Sequence, residues 1–456
     1  MKLWQFLKNN MCKNAGQRVS EGAAQMTFEE LIIFAESFSK NLKDMKCCAI
    51  LCHSEMAAAM ALLACFAAGV TAVPLSYRYG ALHCKKIIDT IGPDAVITDE
   101  DGKFMITKVT DATYKNPDKH PALIMCTSGT TGMPKGAMLS EDNIIANVTD
   151  IADYFAIAPM DTLLIARPIY HCAVLTGEFL TALIKGTGIR FYSGRFQPAA
   201  VLKLIREYRI TAFCSTPTLL HMMARFQREN TTLRHICISG ECMDLETGRR
   251  IAAAFKSAAI YHIYGLTEAC PRVSYLPPKA FFDYADCVGV PLRSVSVKIL
   301  DAAKNEVLKG RPGILWVKGK NVMLGYYNDP QKTAEVLKDG WLCTNDVAVI
   351  NEAGFIKIKG RNDNLIIKAG MNIYPQEIEG ALKSDPRVRE VLVCGAHDKK
   401  IGTQILLTVA GDFKNTDEVR TLCKARLPEY QLPSKIRLVD EIPKNGSGKI
   451  IRRGPQ

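Results

Sequence analysis

Apolar and polar residues follow two periods over roughly the first hundred residues, and this pattern predicts helices that alternate with strands. From Thr27 to about Leu42 the apolar positions recur at helical spacing. Thr27 and Glu30, three residues later, match a capping box, which predicts where this helix begins. Strands are predicted at 49–52, 71–75 and 95–98, with an alanine-rich helix and a helix near 82–90 between them. This alternation is typical of a parallel, doubly wound α/β sheet with helices on both faces.

The same alternation resumes after the segment 126–136 and predicts a second sheet-forming run in the same large domain. Its predicted helices are 141–155, 176–185, 199–208, 219–228 and 244–255, and its predicted strands are 162–166, 189–192, 212–214, 235–238 and 259–262. From about residue 288 the pattern changes to short β-rich segments such as 295–300 and 313–317, separated by turn residues. This change predicts a small β-barrel.

A charged and polar stretch after Gly360 predicts a domain boundary with a hinge. Residues 1–360 form the predicted large N-terminal domain, with two α/β sheets and the small β-barrel. Residues 361–456 mix strands and helices and end in a basic tail, so a smaller α+β domain is expected there.

The composition is that of an ordinary soluble globular protein, with 48% hydrophobic and 23% charged residues among 456. The formal net charge of +12 favours an anionic ligand such as a nucleotide. No run of five or more basic residues indicates a nucleic-acid surface, so no nucleic-acid partner is expected.

Residues 56–73 carry no charge and reach the length at which a membrane span is considered. Half of them are Ala or Gly, and Gly69 is a typical helix stop, which favours a helix packed on a sheet over a membrane helix. The N-terminus has too short an apolar core for a signal peptide.

The sixteen cysteines are scattered along the chain without any C-x-x-C spacing. A zinc site would require two spaced pairs of ligands, so buried free thiols in a reducing cytosol are the better interpretation. A cytoplasmic protein is therefore expected.

The segment 126–136, C-T-S-G-T-T-G-M-P-K-G, follows an apolar run at 122–125 and carries the clearest chemical signal. Glycines allow backbone N–H groups to approach phosphate oxygens, hydroxyl groups add donors, and Lys135 adds a positive charge. The segment is not a Walker A motif, because Lys135 follows Pro134 and precedes Gly136. A polyphosphate-binding loop is predicted; the alternative is a flexible surface loop.

Four further segments accompany this loop. In Y-G-L-T-E at 264–268, Glu268 could hold a magnesium ion beside a polyphosphate. In G-W-L-C-T-N-D at 340–346, Asp346 could accept hydrogen bonds from a ribose diol. The other two segments are 360–379, which begins G-R-N-D, and P-K-N-G-S-G-K at 443–449.

Taken in this order, the five segments resemble the adenylate-forming superfamily, which includes acyl-CoA synthetases, and the resemblance extends from about Thr27 to Arg453. It implies a large N-terminal domain of two α/β sheets and a β-barrel, and a small mobile C-terminal domain. It also implies a reaction in which a carboxylate attacks the α-phosphate of Mg·ATP, pyrophosphate leaves, and the acyl-adenylate passes to a thiol.

The resemblance also implies a role for individual residues. Lys449, Thr267, Glu268 and His171 are the expected catalytic residues, and Glu268 is also the expected metal ligand. The expected ATP-binding residues are Thr127, Ser128, Gly129, Thr130, Thr131, Gly132 and Lys135 for the phosphates, Gly240, Glu241, His262, Tyr264 and Gly265 around the adenine, and Asp346 and Arg361 for the ribose. Asp363 is the expected hinge, and Gly370 is expected to border a thiol tunnel.

The segment 168–186 is similar to the acyl- and aryl-CoA ligase form of its motif. It lacks the aspartate that amino-acid-activating relatives carry, so a carboxylic acid without an α-amino group is expected. His171 either lines the acyl pocket or packs within the protein. The expected thiol belongs to coenzyme A or to the phosphopantetheine of a separate carrier protein, and a nucleotide-binding homologue without catalysis is a further alternative.

Two departures from the superfamily pattern concern the nucleotide. Asn345 replaces a glycine, although asparagine tolerates a left-handed backbone and could keep Asp346 in place. His262 replaces an Asn or Gln that commonly bonds the adenine amino group, so nucleotide affinity could differ.

Overall fold

The computed structural model describes residues 2–77, 80–128, 134–192, 194, 196–227, 231–368, 371–398, 402–444 and 450. In this part of the chain the strands β1 to β26 are, in order, Arg18–Glu21, Ala24–Thr27, Cys47–Ile50, Thr71–Pro74, Ala95–Glu100, Lys103–Lys108, Leu123–Ser128, Pro134–Leu139, Thr162–Ile165, Gly188–Phe191, Ala212–Ser215, His235–Ile238, Ala259–Gly265, Arg272–Leu276, Val290–Pro291, Val295–Leu300, Gly313–Gly319, Gly325–Tyr326, Leu337–Lys338, Trp341–Ile350, Ile356–Arg361, Ile366–Lys368, Met371–Ile373, Val388–Asp398, Gly402–Gly411 and Lys435–Val439. The helices α1 to α14 are Leu3–Cys12, Phe28–Ser39, Glu55–Ala68, Ala81–Ile91, Glu141–Tyr154, Cys172–Val174, Thr181–Lys185, Pro198–Glu207, Pro217–Phe226, Leu245–Ala254, Phe281–Tyr284, Pro330–Val336, Pro375–Lys383 and Thr416–Arg426.

Two large sheets form the first part of the molecule. The first has nine strands in the order β15-β14-β13-β12-β11-β9-β10-β1-β2, and its central strands β13 to β1 run parallel. The second has seven strands in the order β18-β8-β7-β4-β3-β5-β6, with β7, β4, β3 and β5 parallel. The α/β alternation expected from the sequence is therefore confirmed.

Helix α3 packs against strands of both large sheets, contacting β1 of the first and β3 and β4 of the second. It is apolar on every side, as expected of a helix buried between two layers. Ser54 caps its first turn by accepting a hydrogen bond from the Ala57 N–H, and Gly69 ends it in the left-handed conformation. No helix in the described residues is long and apolar enough to cross a membrane.

The β-rich region after residue 288 forms a third, antiparallel sheet of five strands, in which β16, β17, β20 and β19 are neighbours and β21 pairs with β20. The sheets after β21 are smaller: β22 pairs with β23, and β24, β25 and β26 form a three-stranded sheet with α13 packed on it. The predicted fold class, a large sheet-containing unit followed by a smaller α+β unit, is confirmed. The boundary at residue 360 remains a prediction.

The local elements agree with the prediction in part. The predicted capping box of Thr27 and Glu30 is present at the start of α2, whereas other elements differ. The strand predicted at 49–52 is instead β3, Cys47–Ile50. The helix predicted at 176–185 begins at Cys172 and contains a π-helical turn, Leu175–Leu180, between α6 and α7. Helix α1 and the hairpin β1–β2 were not predicted. The sixteen cysteines form no disulfide, and most of them are buried.

Candidate active site

Glu268 lies where the first two sheets meet. It belongs to the single 3-10 turn Thr267–Ala269, which connects β13 to β14. Strand β18 of the second sheet reaches this turn, and the Tyr326 hydroxyl donates a hydrogen bond of 2.8 Å to Oε1 of Glu268. The Met323 N–H donates to the Glu268 carbonyl oxygen at 2.9 Å. The glutamate is therefore held at both its backbone and its side chain by one segment of the second sheet.

Asp346 lies on β20 of the third sheet, directly opposite Arg361 on β21. Its Oδ2 accepts a hydrogen bond of 2.5 Å from the Tyr264 hydroxyl, and its Oδ1 lies 3.6 Å from Arg361 Nε. Asn345 has a φ of 59°, so the asparagine does adopt the left-handed conformation in which a glycine was expected. The structure thus brings together Tyr264, Asp346 and Arg361, three residues predicted from separate segments.

The two tyrosines that hold these carboxylates are neutral donors. Burial raises the pKa of Tyr264, and the neighbouring Asp346 raises it further. Burial, together with Glu268, likewise raises the pKa of Tyr326. Both phenols therefore stay protonated and donate to the carboxylates across the physiological pH range.

The phosphate loop predicted at 126–136 begins and ends in two paired strands. Thr127 on β7 lies opposite Lys135 on β8, and Ser128 lies opposite Pro134. The Lys135 ammonium is 5.5 Å from the centre of the Tyr326 ring, the same tyrosine that bonds Glu268. A cation–π contact of this kind places the lysine beside the acidic group.

The expected phosphate ligands Gly129, Thr130, Thr131 and Gly132 lie outside the described residues, as do Lys449 and Gly370. Asp363 lies in a single 3-10 turn after β21, with its carboxylate 3.6 Å from the Arg361 guanidinium.

Gly265 lies at the end of β13, where the chain allows no side chain. A Cβ at this position would be 1.9 Å from the carbonyl oxygen of Pro271. Gly240 follows β12 with a φ of 98°, and the carboxylate of its neighbour Glu241 accepts a hydrogen bond of 2.5 Å from Thr218. Both expected adenine-site glycines therefore occupy positions that require glycine.

His262 lies on β13, three residues before Gly265, and it is buried. Its side chain is 1% exposed, and its Nδ1 donates a hydrogen bond of 2.8 Å to the Ala285 carbonyl oxygen. Burial lowers its pKa to about 4, so the imidazole is neutral at physiological pH. Its Nε2 is buried without a hydrogen-bond partner, and its contact with the nucleotide stays a prediction.

His171 directly precedes α6, and its ring lies 4.3 Å from that of Tyr170. Thr176, one turn further on, donates to the carbonyl oxygens of Cys172 and Cys270, at 2.9 and 3.0 Å. Thr176 therefore ties the helix that follows His171 to the residues between Glu268 and β14.

Tyr326 is the residue of this arrangement that the sequence reasoning missed. Its partner Glu268 is 58 residues away in the chain, so no local pattern relates the two. The only available signal is the G-Y-Y sequence at 325–327 after a β-rich stretch.

The donor set around Glu268 fits magnesium. No group of three or more His, Cys, Asp or Glu side chains that could hold a metal occurs in the part of the chain that the structure describes. Mg²⁺ is usually held by one or two carboxylates together with substrate phosphates and water, and does not need such a group. Tyr326 engages only Oε1 of Glu268, which leaves Oε2 for an ion.

Comparison with known proteins places the chain in a family. Residues 13–327 match the AMP-binding enzyme family, and residues 377–449 match the AMP-binding enzyme C-terminal domain. The chain belongs to the AMP-binding enzyme family, which confirms the adenylate-forming superfamily predicted from the sequence. It is an AMP-forming ligase of the acyl-CoA synthetase-like type.

Individual relatives agree with this assignment. A feruloyl-CoA synthase from Amycolatopsis sp. is 30% identical over 416 residues, which cover 86% of this chain and 84% of the relative. A long-chain-fatty-acid–CoA ligase from Escherichia coli O6:H1 is 33% identical over 352 residues, 75% of this chain and 62% of the relative. The structure of o-succinylbenzoate coenzyme A synthetase from Bacillus subtilis, in complex with ATP and magnesium ion, superposes with a TM-score of 0.85 at 27% identity and covers 98% of both chains.

Proposed function

We propose that this chain joins a carboxylic acid without an α-amino group to coenzyme A, with ATP and Mg²⁺ as co-substrates and AMP and pyrophosphate as products. The observation that carries the proposal is the convergence of three sheets on two tyrosine-held carboxylates, Glu268 and Asp346, beside the hairpin that carries Lys135. The relatives named above, which are CoA synthases and ligases, support CoA as the thiol.

A carboxylate resists attack by a thiol because its negative charge is delocalised, so it must first become a mixed anhydride with AMP. That displacement builds negative charge around the α-phosphorus, and the protein contributes mainly position and electrostatic stabilisation. A site for it needs an anchor for the ribose, cations for the phosphates, and a carboxylate for the metal ion.

The residues in the site match these three needs. Asp346 supplies the carboxylate for the ribose, because an ionised carboxylate accepts hydrogen bonds of the kind that a ribose diol donates. Lys135 supplies positive charge near Glu268, through the Tyr326 ring that lies between them in the contact network, and Arg361 supplies it beside Asp346. Glu268 would hold Mg²⁺, which when bound neutralises phosphate charge and orients the leaving pyrophosphate.

Lys449 and Asp363 have proposed roles in the two half-reactions. Lys449 bridges the α-phosphate and the substrate carboxylate in the first half-reaction. The C-terminal domain then turns about Asp363 and brings the region of Gly370 towards the thiol. In the present arrangement this domain is bonded to the N-terminal one, since Arg250 donates to the Ser384 carbonyl oxygen at 2.7 Å and Arg426 lies 3.3 Å from Glu246.

The decisive experiment incubates the purified chain with Mg·ATP and a panel of aryl, short-chain and long-chain acids, with CoA or with a phosphopantetheinylated carrier protein. The proposal expects pyrophosphate, AMP and acyl-CoA in equal amounts. Acylation of the carrier protein alone would overturn the choice of CoA. Absence of acid-dependent pyrophosphate release across the panel would favour a nucleotide-binding homologue without catalysis.

Variants connect the activity to the site. Glu268→Gln removes the proposed metal ligand and should lower pyrophosphate release about 100-fold or more at fixed Mg²⁺. Glu36→Gln is the matched control, because Glu36 pairs with Lys8 in the same domain but contacts none of the site residues. Equal rates for the two variants would remove Glu268 from the mechanism.

A further inference from the structure

Arg272 is a buried cation beside the candidate active site. It begins β14, four residues after Glu268, and lies directly opposite Gly265 in the β13–β14 pair. Its relative exposure is only 2%, although arginine is rarely fully buried unless it is paired.

The backbone N–H and carbonyl groups of Arg272 are hydrogen-bonded, whereas its guanidinium is not. Asn147 and Asn321 each donate to the Arg272 carbonyl oxygen at 2.9 Å, and the Arg272 N–H donates to Asn147 at 3.1 Å. Among the described residues, the guanidinium makes no hydrogen bond and has no carboxylate within 4.0 Å, and its Nε is buried without a partner. A buried charge left in this state is costly to the folded protein.

The guanidinium lies against the π-helical turn after His171. A Cβ at Gly177 would be 2.8 Å from Nη2 and 3.1 Å from Cζ of Arg272, so the glycine leaves the space that the guanidinium uses. Single π-turns inside α-helices are frequent at functional sites. Gly177 follows His171 by six residues, which is about 9 Å along a helix.

The charges around Arg272 do not balance. Glu178 on the same π-turn is fully buried, and its Oε1 is 2.5 Å from Nη2 of Arg167. Its Oε2 and the Arg167 Nε have no partner. One carboxylate therefore interacts electrostatically with two guanidinium groups, and it contacts only that of Arg167. Burial raises the pKa of Glu178, and its protonation would leave the cluster more positive still.

Glu178 is the one acidic residue among the groups that affect the pKa of Arg272 most. The others are Tyr154, Cys237 and Cys214.

Two further buried polar atoms without a partner lie at strand ends of the same sheet. The hydroxyl oxygens of Ser215, which ends β11, and Ser239, which follows β12, are buried without a partner. Both lie at the carboxyl ends of parallel strands, the edge at which α/β sheets bind ligands. An apolar acyl chain placed here would satisfy neither these hydroxyls nor the guanidinium.

We propose that the acid used by this enzyme carries a second carboxylate, distant from the reacting one, and that Arg272 binds it. The substrate class is thus a dicarboxylic acid and not a simple fatty acid. This inference rests on the proposed ligase function. A carboxylate matches the guanidinium fork with two parallel hydrogen bonds and neutralises the surplus charge of the cluster.

The test uses pairs of acids that differ only by a distal methyl or carboxylate group: hexanoate and adipate, octanoate and suberate, 4-methylbenzoate and terephthalate. The expected result is a kcat/KM at least about tenfold higher for the diacid in one or more pairs, since hydrogen bonds to charged groups give a preference of this size. This comparison needs only the wild-type enzyme.

The variant Arg272→Met should reverse the preference, lowering kcat/KM for the preferred diacid about 10- to 100-fold and raising it for the matched monoacid. Arg272→Lys keeps the charge without the fork and should retain part of the preference. Arg234→Met is the matched control, because Arg234 bonds the buried Asp161 in the same sheet and should leave the ratio unchanged.

The outcomes separate this inference from the proposed function. Turnover of monoacids with rejection of every diacid would overturn the inference and leave the ligase function intact. An Arg272→Met protein that folds, shown by an unchanged unfolding temperature, but keeps the wild-type ratio would also overturn it. If no acid of either kind releases pyrophosphate, the proposed function fails and the inference with it.

Discussion

Replacing His262 with glutamine should remove part of the pH dependence of the protein's stability. The imidazole is 1% exposed in the folded protein, and burial lowers its pKa from 6.5 to about 4. In the unfolded chain the ring contacts water and titrates near its ordinary value. Between these two pKa values the unfolded state binds more protons than the folded state, so the free energy of unfolding falls as the pH falls.

The magnitude follows from the two pKa values. A difference of about 2.5 units corresponds to roughly 3 kcal/mol in total, of which about 2 kcal/mol is lost between about pH 7 and pH 5. The loss begins near 6.5 and is complete near 4, where the folded protein also takes up the proton.

The assay is urea-induced unfolding of the wild type and of His262→Gln at both pH values. The decrease in unfolding free energy should be about 2 kcal/mol smaller in the variant. Burial also lowers the pKa of His221 and His235, but both residues are present in the two proteins, so the difference isolates His262. An equal decrease in the two proteins would refute the reasoning, because His262 would then take up its proton equally in the folded and unfolded states.

Three further predictions concern the site. Tyr326→Phe should raise the Mg²⁺ concentration needed for half-maximal pyrophosphate release about tenfold, since it removes the hydrogen bond that positions the metal-binding carboxylate. Tyr327→Phe, which loses hydrogen bonds to Lys115 and Asn328 and none to Glu268, should leave it unchanged. Gly265→Ala should destabilise the protein by about 1–3 kcal/mol and lower adenylate formation, because its Cβ would lie 1.9 Å from a backbone oxygen, whereas Gly16→Ala meets nothing within 4 Å and should be close to wild type in urea unfolding. Lys449→Ala should reduce acyl-adenylate formation by several orders of magnitude and spare thioester formation from preformed acyl-AMP, measured by single-turnover assays.

Each of these predictions has a contradicting result. Equal Mg²⁺ dependence of the two tyrosine variants would mean that the Tyr326 hydroxyl does not position Glu268. Wild-type stability of Gly265→Ala would mean that β13 and β14 can separate at no cost. Equal loss of both half-reactions in Lys449→Ala would contradict its assignment to the first step.

Local chemistry made much of the fold predictable. The capping box of Thr27 and the glycine stop at Gly69 depend on residues within one helical turn, so the sequence shows them directly. The strand expected at 49–52 lies two residues earlier, at Cys47–Ile50. The run from Cys47 to Cys52 is apolar throughout, so the hydrophobic pattern does not show where the strand begins or ends. The π-turn was not predicted, since no residue pattern distinguishes it from the surrounding α-helix.

The sequence by itself determined which chemical groups are present and their order: a glycine-rich loop with Lys135, then Glu268, Asp346 and Lys449, within an α/β alternation. These signals can be recognised from the sequence alone because each depends on the residue types in one short stretch. The tertiary structure alone decided which groups meet. The Tyr326–Glu268 contact and the position of Arg272 over Gly177 join residues far apart in the chain, and such contacts depend on the packing and register of whole sheets. The sequence does not distinguish Arg272 from an ordinary surface cation. The proposed anion site rests on its burial without a partner, which only the tertiary structure shows.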